Sequence, residues 1–496
     1  MSFPSSAVGL PMAMKYDLPP SLPDSARAYS VNVAPDGVTS VNGPAINAIL
    51  NTNIGTNGTN TAFGNFTQQM ISFTLPSGMS DSVFLDPAST TLSFTLTYTV
   101  GTAPVGTGTL FNLIGSGASW FDQLVLYSNN VPIETVGQYG LLQNFLLANT
   151  VNQSERFGGI SVAMGADTNS QNGIDLGTAA ASYRYNFTIP LLSVIGANSD
   201  KFFPIGACNN MQLQMTTAAL YPLAAFTSAN ATTAGTIAGG MTLSEFTLNM
   251  KYIDVGDMAG ALMKQTLQDG KWFIKSQTYT NSNISIPSGS SGTQQLLLQI
   301  RNTSVKSILH QFGTSQNSIS ANGYYDAINP VLTSRQCQVG GNFYPNKPIN
   351  DTSRPSEGYP YLIQAITQGG GITKSYGTVV DRLTYNSIGG VASFTGSNFS
   401  ADSFCILPAS GVRAAPSGDD AGSKNVIKAP SMAYYGYDLE KSAGILFQGV
   451  NTRASPPFLN LNIGTTINAT ILCSAWGLSD VIIEVDTIGK QVKAYV

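Results

Sequence analysis

The sequence predicts an all-β chain of two consecutive β-sandwiches with a few short helices, on three observations. Apolar and polar residues alternate in several short segments, the pattern of a strand with one face on a core. A set of local patterns in the first half returns in the same order in the second. The composition also suits buried cores, since of 496 residues 43% are hydrophobic and 10% charged, with 50 Gly, 25 Pro, 4 Cys and one His. An average domain is about 25% charged and the mean hydropathy here is only +0.07, so Ser, Thr, Asn, Gln and Gly supply the polarity.

The elements follow in chain order. Met1 to Ala28, rich in Pro, reads as an extended arm. Leu92, Phe94, Leu96, Tyr98 and Val100 alternate with Thr and Ser, giving the strongest strand signal. Leu124 to Ile133 reads as strand, turn and strand, turning at Asn129-Asn130. Leu141, Leu142, Phe145 and Ala148 share one face of a short helix. Met211, Leu213 and Met215 alternate with Gln212 and Gln214. Met258 to Leu267, between Gly256 and Gly270, reads as a helix where a linker would fall, and Trp272 as the anchor of the next domain.

Past that linker, Leu296, Leu298 and Ile300 mark a strand, Gln336 to Pro345 a hairpin turning at Gly341-Asn342, and Leu362, Ile363 and Ile366 a helix. Leu459, Leu461 and Ile463 alternate with Asn, and Val481–Val485 and Val492–Val496 flank a final turn. Four pairs define the duplication. Leu75-Pro76-Ser77-Gly78 is matched with Ile286-Pro287-Ser288-Gly289, the two hairpins with each other, Leu141-Leu142-Gln143 with Leu362-Ile363-Gln364, and Met211–Met215 with Leu459–Ile463. The offset between partners only grows, which puts longer insertions in the second half, the largest within Ser387 to Lys428. All-β domains of about 200–250 residues occur as single units. The expected division is an arm over 1–40, a first sandwich over 41–255, a linker over 256–271 and a second sandwich over 272–496.

Several classes are excluded. The apolar fraction is too high for a disordered chain. No window holds about 18 consecutive apolar residues, so no bilayer-spanning helix is expected. Met1 to Ser30 has no basic region followed by an apolar one and is not read as a secretory signal. The net charge is −4, and of 23 basic residues only Lys15 and Arg27 precede Arg156. No basic arm is present to neutralise phosphates, so direct sequence-specific nucleic-acid binding is not expected.

Chemistry-bearing patterns are sparse. A Ser-His-Asp or Cys-His arrangement has only His310 as its base, and His310 sits in a strand-like run, Val305 to Phe312, as a structural histidine. Cys208, Cys337, Cys405 and Cys473 are far apart and read as reduced, buried thiols. Asp419-Asp420 and the pair Asp81 and Asp86 lack the alternating spacing of a Ca²⁺ loop and read as solvated loop acids. Gly106-Thr107-Gly108, Gly115-Ser116-Gly117 and Gly369-Gly370-Gly371 lack a phosphate-loop ending and read as turns. The sequons at Asn65 and Asn186 are those of an Asn- and Thr-rich chain. No catalytic, cofactor-binding or metal-ligating residue is assigned, no cofactor is expected, and the chain is not read as an enzyme.

Four segments carry a family resemblance. Asp86 to Leu96 resembles an early strand of the first jelly roll of the double jelly-roll major capsid proteins of icosahedral DNA viruses, the lineage of tailless membrane-containing bacteriophages, adenoviruses and virophages. Ser119 to Tyr127 is similar to the strand entering the next turn, Gln338 to Ile349 to the corresponding place in the second jelly roll, and Phe447 to Arg453 to the turn before a late strand. The resemblance implies two eight-stranded jelly-roll sandwiches side by side, a homotrimer of pseudo-hexagonal outline, trimers tiling a virion shell, and no catalysis. It implies synthesis in the host cytoplasm, and partners that are further copies of the chain, with minor capsid or vertex proteins and an internal membrane beyond them. Gly101 to Ser119, Gly158 to Ala180 and Ser387 to Lys428 are then expected as outer inter-strand loops. A trimeric fibre or receptor-binding protein is the chief alternative, though fibres usually carry many short repeats. A secreted carbohydrate-active sandwich enzyme follows, without a clear acid pair.

Overall fold

The computed structural model describes residues 26–36, 46–48, 68–102, 109–113, 116–151, 159, 161–165, 182–196, 201–218, 223–227, 236–265, 267, 269–314, 327, 329–351, 357–367, 385, 433–441, 447–467 and 470–496. In chain order the first-half strands are β1 (Arg27–Val33), β2 (Ile46–Ala48), β3 (Met70–Thr74), β4 (Val83–Thr102), β5 (Thr109–Leu113), β6 (Phe121–Ser128) and β7 (Val131–Gly137). Helix α1 (Tyr139–Thr150) follows, then β8 (Ser182–Pro190), β9 (Met211–Thr217), β10 (Leu223–Thr227) and β11 (Thr236–Asp254). Helix α2 (Asp257–Gln265) leads to β12 (Lys271–Ile286), β13 (Gly292–Leu297), β14 (Val305–Thr314), β15 (Leu332–Val339) and β16 (Asn342–Asn350). Last come helix α3 (Gly358–Thr367), β17 (Tyr434–Asp438), β18 (Phe458–Ile463), β19 (Ile471–Asp486) and β20 (Gln491–Tyr495).

The sheets repeat one plan. In the first half β1-β11-β4-β8 face β3-β9-β6-β7; in the second β12-β19-β14-β17 face β13-β18-β15-β16. Counting each half's eight sandwich strands from its own start, both halves read 1-8-3-6 and 2-7-4-5, the wrapped antiparallel order of a jelly roll. Strands β2, β20 and the pair β5/β10 are additions to this plan. Among the described residues no strand of the first half pairs with one of the second.

Alternation in the sequence becomes burial in the sandwich. Leu92, Phe94 and Leu96 of β4 are buried, as are Met211, Leu213 and Met215 of β9 and Leu459, Leu461 and Ile463 of β18. Phe94 sits in a nest of rings, with Phe121, Phe187 and Phe246 centred 5.3, 5.3 and 5.7 Å away. Thr95 departs from the pattern, being buried because its hydroxyl meets Asn186 Oδ1 at 2.9 Å and Glu245 Oε2 at 2.8 Å. The β6–β7 hairpin turns at Asn129-Asn130, both at positive φ (49° and 63°), the geometry a two-residue hairpin requires and Asn tolerates.

Four expectations are revised. The arm drawn to residue 40 is too long, since Arg27–Val33 pair with the last stretch of β11, Asp254 to Leu248, at the edge of their sheet; residues 1–25 lie outside the described residues. Strand β1 has a weak apolar face, Tyr29, Val31 and Val33 alternating with Ser30 and Asn32, of which Val31 and Val33 are half-buried against the core. Trp272 does not anchor the second sandwich alone, as its ring packs edge-on against Phe84 of the first at 5.8 Å, in a cluster with Ile253 and Val255. The second hairpin turns one residue earlier than expected, between Val339 and Asn342. One of the four matches in the duplication is not equivalent, because Leu75 follows the second strand of its sandwich and Ile286 ends the first strand of its own. The hairpins, α1 with α3 and β9 with β18 do occupy equivalent places.

Truncating a ring in this nest leaves a cavity between sheets that cannot collapse. Phe94→Ala is expected to lower stability by about 3–5 kcal/mol, whereas Thr97→Ala on the opposite face stays within about 0.5 kcal/mol, as read from urea unfolding midpoints of the purified chain.

Candidate functional site

Among the described residues, those that carry chemistry are not gathered into one cleft. His310 on β14 is fully buried and stacked on Tyr435 and Tyr437, with ring centres 5.0 and 5.6 Å away. Burial, and then the nearby Arg335 charge, hold its imidazole well below the ordinary range, so it is neutral. Arg335, on β15 of the facing sheet, donates from Nε to Asp351 Oδ2 at 2.9 Å and lies 4.3 Å above the Tyr435 ring. Gly358 makes room for it, since a Cβ there would meet Arg335 Nη2 at 1.7 Å. No local motif marks this pair, whose members are 16 residues apart.

The other candidates also resolve separately. Cys208, Cys337 and Cys473 are free and buried, and burial pushes each thiol up, away from thiolate chemistry. Asp81 pairs with Lys264 of α2, while Asp86 accepts from the Ala88 amide at 3.2 Å; the two acids serve different neighbours. Asn186 accepts from Thr95 within the sheet. Among the described residues no group of three His, Cys, Asp or Glu side chains is placed to hold a metal ion. Asp419-Asp420, Cys405, Asn65, Gly106-Thr107-Gly108, Gly369-Gly370-Gly371, most of Gly158 to Ala180 and all of Ser387 to Lys428 lie outside the described residues.

The most developed constellation joins the two sandwiches. Strand β7 is an edge of its sheet and β12 an edge of the other, and their side chains close the gap. Glu134 of β7 is buried; its Oε2 accepts from Ser193 Oγ at 2.5 Å and the Val194 amide at 2.9 Å, and its Oε1 from Thr278 Oγ1 of β12 at 3.0 Å. Trp476 Nε1 of β19 donates to the Gly137 carbonyl at 3.2 Å. Asn281 Nδ2 of β12 donates to Gln138 Oε1 at 3.1 Å. Beside these, Phe145 of α1 meets Tyr434 at 4.9 Å and Trp476 at 6.0 Å. One apolar cluster therefore runs through the first sandwich and across the junction.

The uncharged strand faces are laced to themselves. Asn249 Nδ2 donates to Ser93 Oγ at 2.8 Å, which lies 2.9 Å from Thr188 Oγ1. Gln212 Nε2 donates to Ser72 Oγ at 2.6 Å, and Asn460 Nδ2 to Gln338 Oε1 at 3.1 Å. Such cross-strand rungs satisfy polar groups without the desolvation cost of buried ions.

Neither a family model nor a curated protein matches the chain. Solved structures do. A chain of the cryo-EM structure of the Sputnik virophage is similar at 9% identity and a TM-score of 0.55, over 100% of this chain and 93% of that one. The Faustovirus major capsid protein is similar at 9% and 0.54, over 96% and 93%. A chain of the PBCV-1 virus capsid is similar at 11% and 0.50, over 95% and 97%. With the strand orders above, these likenesses show that the chain has the double jelly-roll fold of viral major capsid proteins.

Burial pushes the Glu134 carboxyl from its ordinary 4.5 up to about 7, against the three hydrogen bonds that favour the charged form. A carboxyl raised in the folded state binds its proton there over a range where the unfolded chain has lost it, so stability falls as pH rises from 4.5 to about 7 and is flat above. That fall is on the order of 3 kcal/mol. Urea unfolding from about pH 5 to about pH 8 is expected to show this slope in the parent and lose most of it in Glu134→Gln.

Proposed function

We propose that this chain is the structural building block of an icosahedral virus shell, acting through contacts with further copies of itself rather than through catalysis. The observation that carries the reading is the doubled jelly roll, two sandwiches of one strand order joined edge to edge within a single chain. Three such chains around a threefold axis present six similar units in a ring. That gives a pseudo-hexagonal trimer, a closed assembly of the kind oligomers favour.

The domain limits proposed with this function are Arg27 to Asp254 for the first jelly roll, α2 as the connection, and Lys271 to Tyr495 for the second. Connection α2 is held on the first sandwich, with Gly260 against Ser82 and Lys264 paired with Asp81. The low charge of the chain fits a subunit surrounded by its own kind, because interface centres are depleted in Lys, Glu and Asp. Virion location follows from the same reading, as do minor capsid proteins and an underlying membrane as secondary partners.

Sedimentation of the purified protein together with electron microscopy tests this. The expected result is a discrete trimer of near-hexagonal outline that packs into hexagonal sheets or shells. A chain that stays monomeric at all concentrations, or one that forms slender rods, overturns the reading in favour of no assembly or of a fibre.

A further inference from the structure

Lys306, Glu440 and Asp480 are three charged side chains sealed inside the second sandwich, with side-chain exposures of 1%, 2% and 0%. The pairing of β14 with β19 slips between Val305 and Ser307, so Lys306 is the extra residue of a bulge, the device that re-aims a side chain. Strand β14 lies between β17 and β19; Glu440 follows the end of β17 and Asp480 is on β19. The Lys306 Nζ stands 2.9 Å from Glu440 Oε1 and 3.2 Å from Asp480 Oδ1.

The Asp480 carboxyl is held asymmetrically. Its Oδ2 accepts from the Phe447 amide at 2.8 Å and from Ser304 Oγ at 3.1 Å, while Ser304 Oγ in turn accepts from the Gly449 amide at 3.1 Å. Its Oδ1 has no hydrogen bond of good geometry among the described residues and faces the lysine. An amine beside one oxygen of a carboxyl, two donors on the other oxygen, and a second carboxylate beside the amine are the parts needed for acyl transfer.

We propose that Lys306 and Asp480 condense to an intramolecular isopeptide bond, with Glu440 as the proton carrier. Glu440 takes a proton from the ammonium, and the freed Nζ lone pair attacks Asp480 Cγ. The charge that develops on Oδ2 is met by the Phe447 amide and the Ser304 hydroxyl. Collapse of the tetrahedral centre breaks the Cγ–Oδ1 bond, and Oδ1 leaves with its electron pair. Nζ gives up two protons in all, passed by way of Glu440 to Oδ1, which departs as water. An ammonium and a carboxylate become one amide and one water, with no oxidant, reductant or activating group required. Unactivated acids and amines condense poorly in water, but fixed neighbours gain effective molarities of about 10⁵–10⁸ M, and the product removes a buried ion pair whose desolvation is costly.

The bond would tie β14 to β19 across 174 residues (480 − 306). It constrains the unfolded chain as any long cross-link does. It is independent of the capsid reading, and its test does not depend on assembly.

Intact-mass measurement and proteolytic peptide mapping of the purified full-length protein decide the matter. The expected mass is lower than that of the sequence by one water, with the peptides bearing Lys306 and Asp480 recovered as one branched species. Lys306→Arg, which keeps the charge but not the nucleophile, and Glu440→Gln are each expected at the full mass of their sequences with linear peptides. Linear peptides throughout the parent protein overturn the proposal, whatever the variants do, and leave the triad an ion-paired clamp. A branched peptide that persists in Glu440→Gln overturns the role given to Glu440.

Discussion

Everything larger than one sandwich rests on the seam between β7 and β12. Each is the last strand of its sheet, and a sheet edge carries unpaired backbone groups that must be paired, covered or exposed. Here they are covered from within the chain. Thr278 reaches Glu134, Asn281 reaches Gln138, and the Trp476 indole caps the Gly137 carbonyl. Helix α1 lies over the same seam and feeds Phe145 between Tyr434 and Trp476. The contact is apolar in bulk and polar at chosen points, so it fixes one orientation of the two sandwiches where a purely greasy interface would allow several.

Charge is used in the same selective way. The chain has few charged residues, yet among the described ones Glu134, Lys306, Arg335, Asp351, Asp480 and Glu484 are buried. Each has a specific partner: hydroxyl and amide donors for Glu134, paired ions for Lys306 and Arg335, and Lys271 with the Tyr495 hydroxyl for Glu484. Buried ions add little net stability, but removing one partner is severe. They act as locks on register, Lys306 at a bulge and Arg335 beneath two tyrosine rings. The exposed strand faces meanwhile use Ser, Thr, Asn and Gln rungs, which explains how a chain with so little charge keeps its sheets wet on one side.

Strand alternation, the Asn129-Asn130 turn, the amphipathic faces of α1 and α3 and three of the four repeated patterns are local properties, and each was legible in the sequence. Strand β1 was less legible: Tyr29, Val31 and Val33 alternate with Ser30 and Asn32, but the run is short, follows directly on the Pro-rich segment, and is only half-buried even at Val31 and Val33. The Leu75 and Ile286 match misled for a related reason: a Pro-Ser-Gly turn after an apolar residue suits the end of any strand. The seam and the buried triad were invisible, since Glu134 and Thr278 are 144 residues apart and Lys306 meets Asp480 only through a one-residue slip in pairing.

That the chain is β-rich, duplicated and sparing of charge is written in its residues alone, because periodicity, turns and composition depend on neighbours a few residues away. Which strand of each sandwich lies beside which, where the two sandwiches meet, and which few charges are sealed inside emerge only on folding. Those choices depend on residues that long loop closures bring together, and no short-range pattern encodes them.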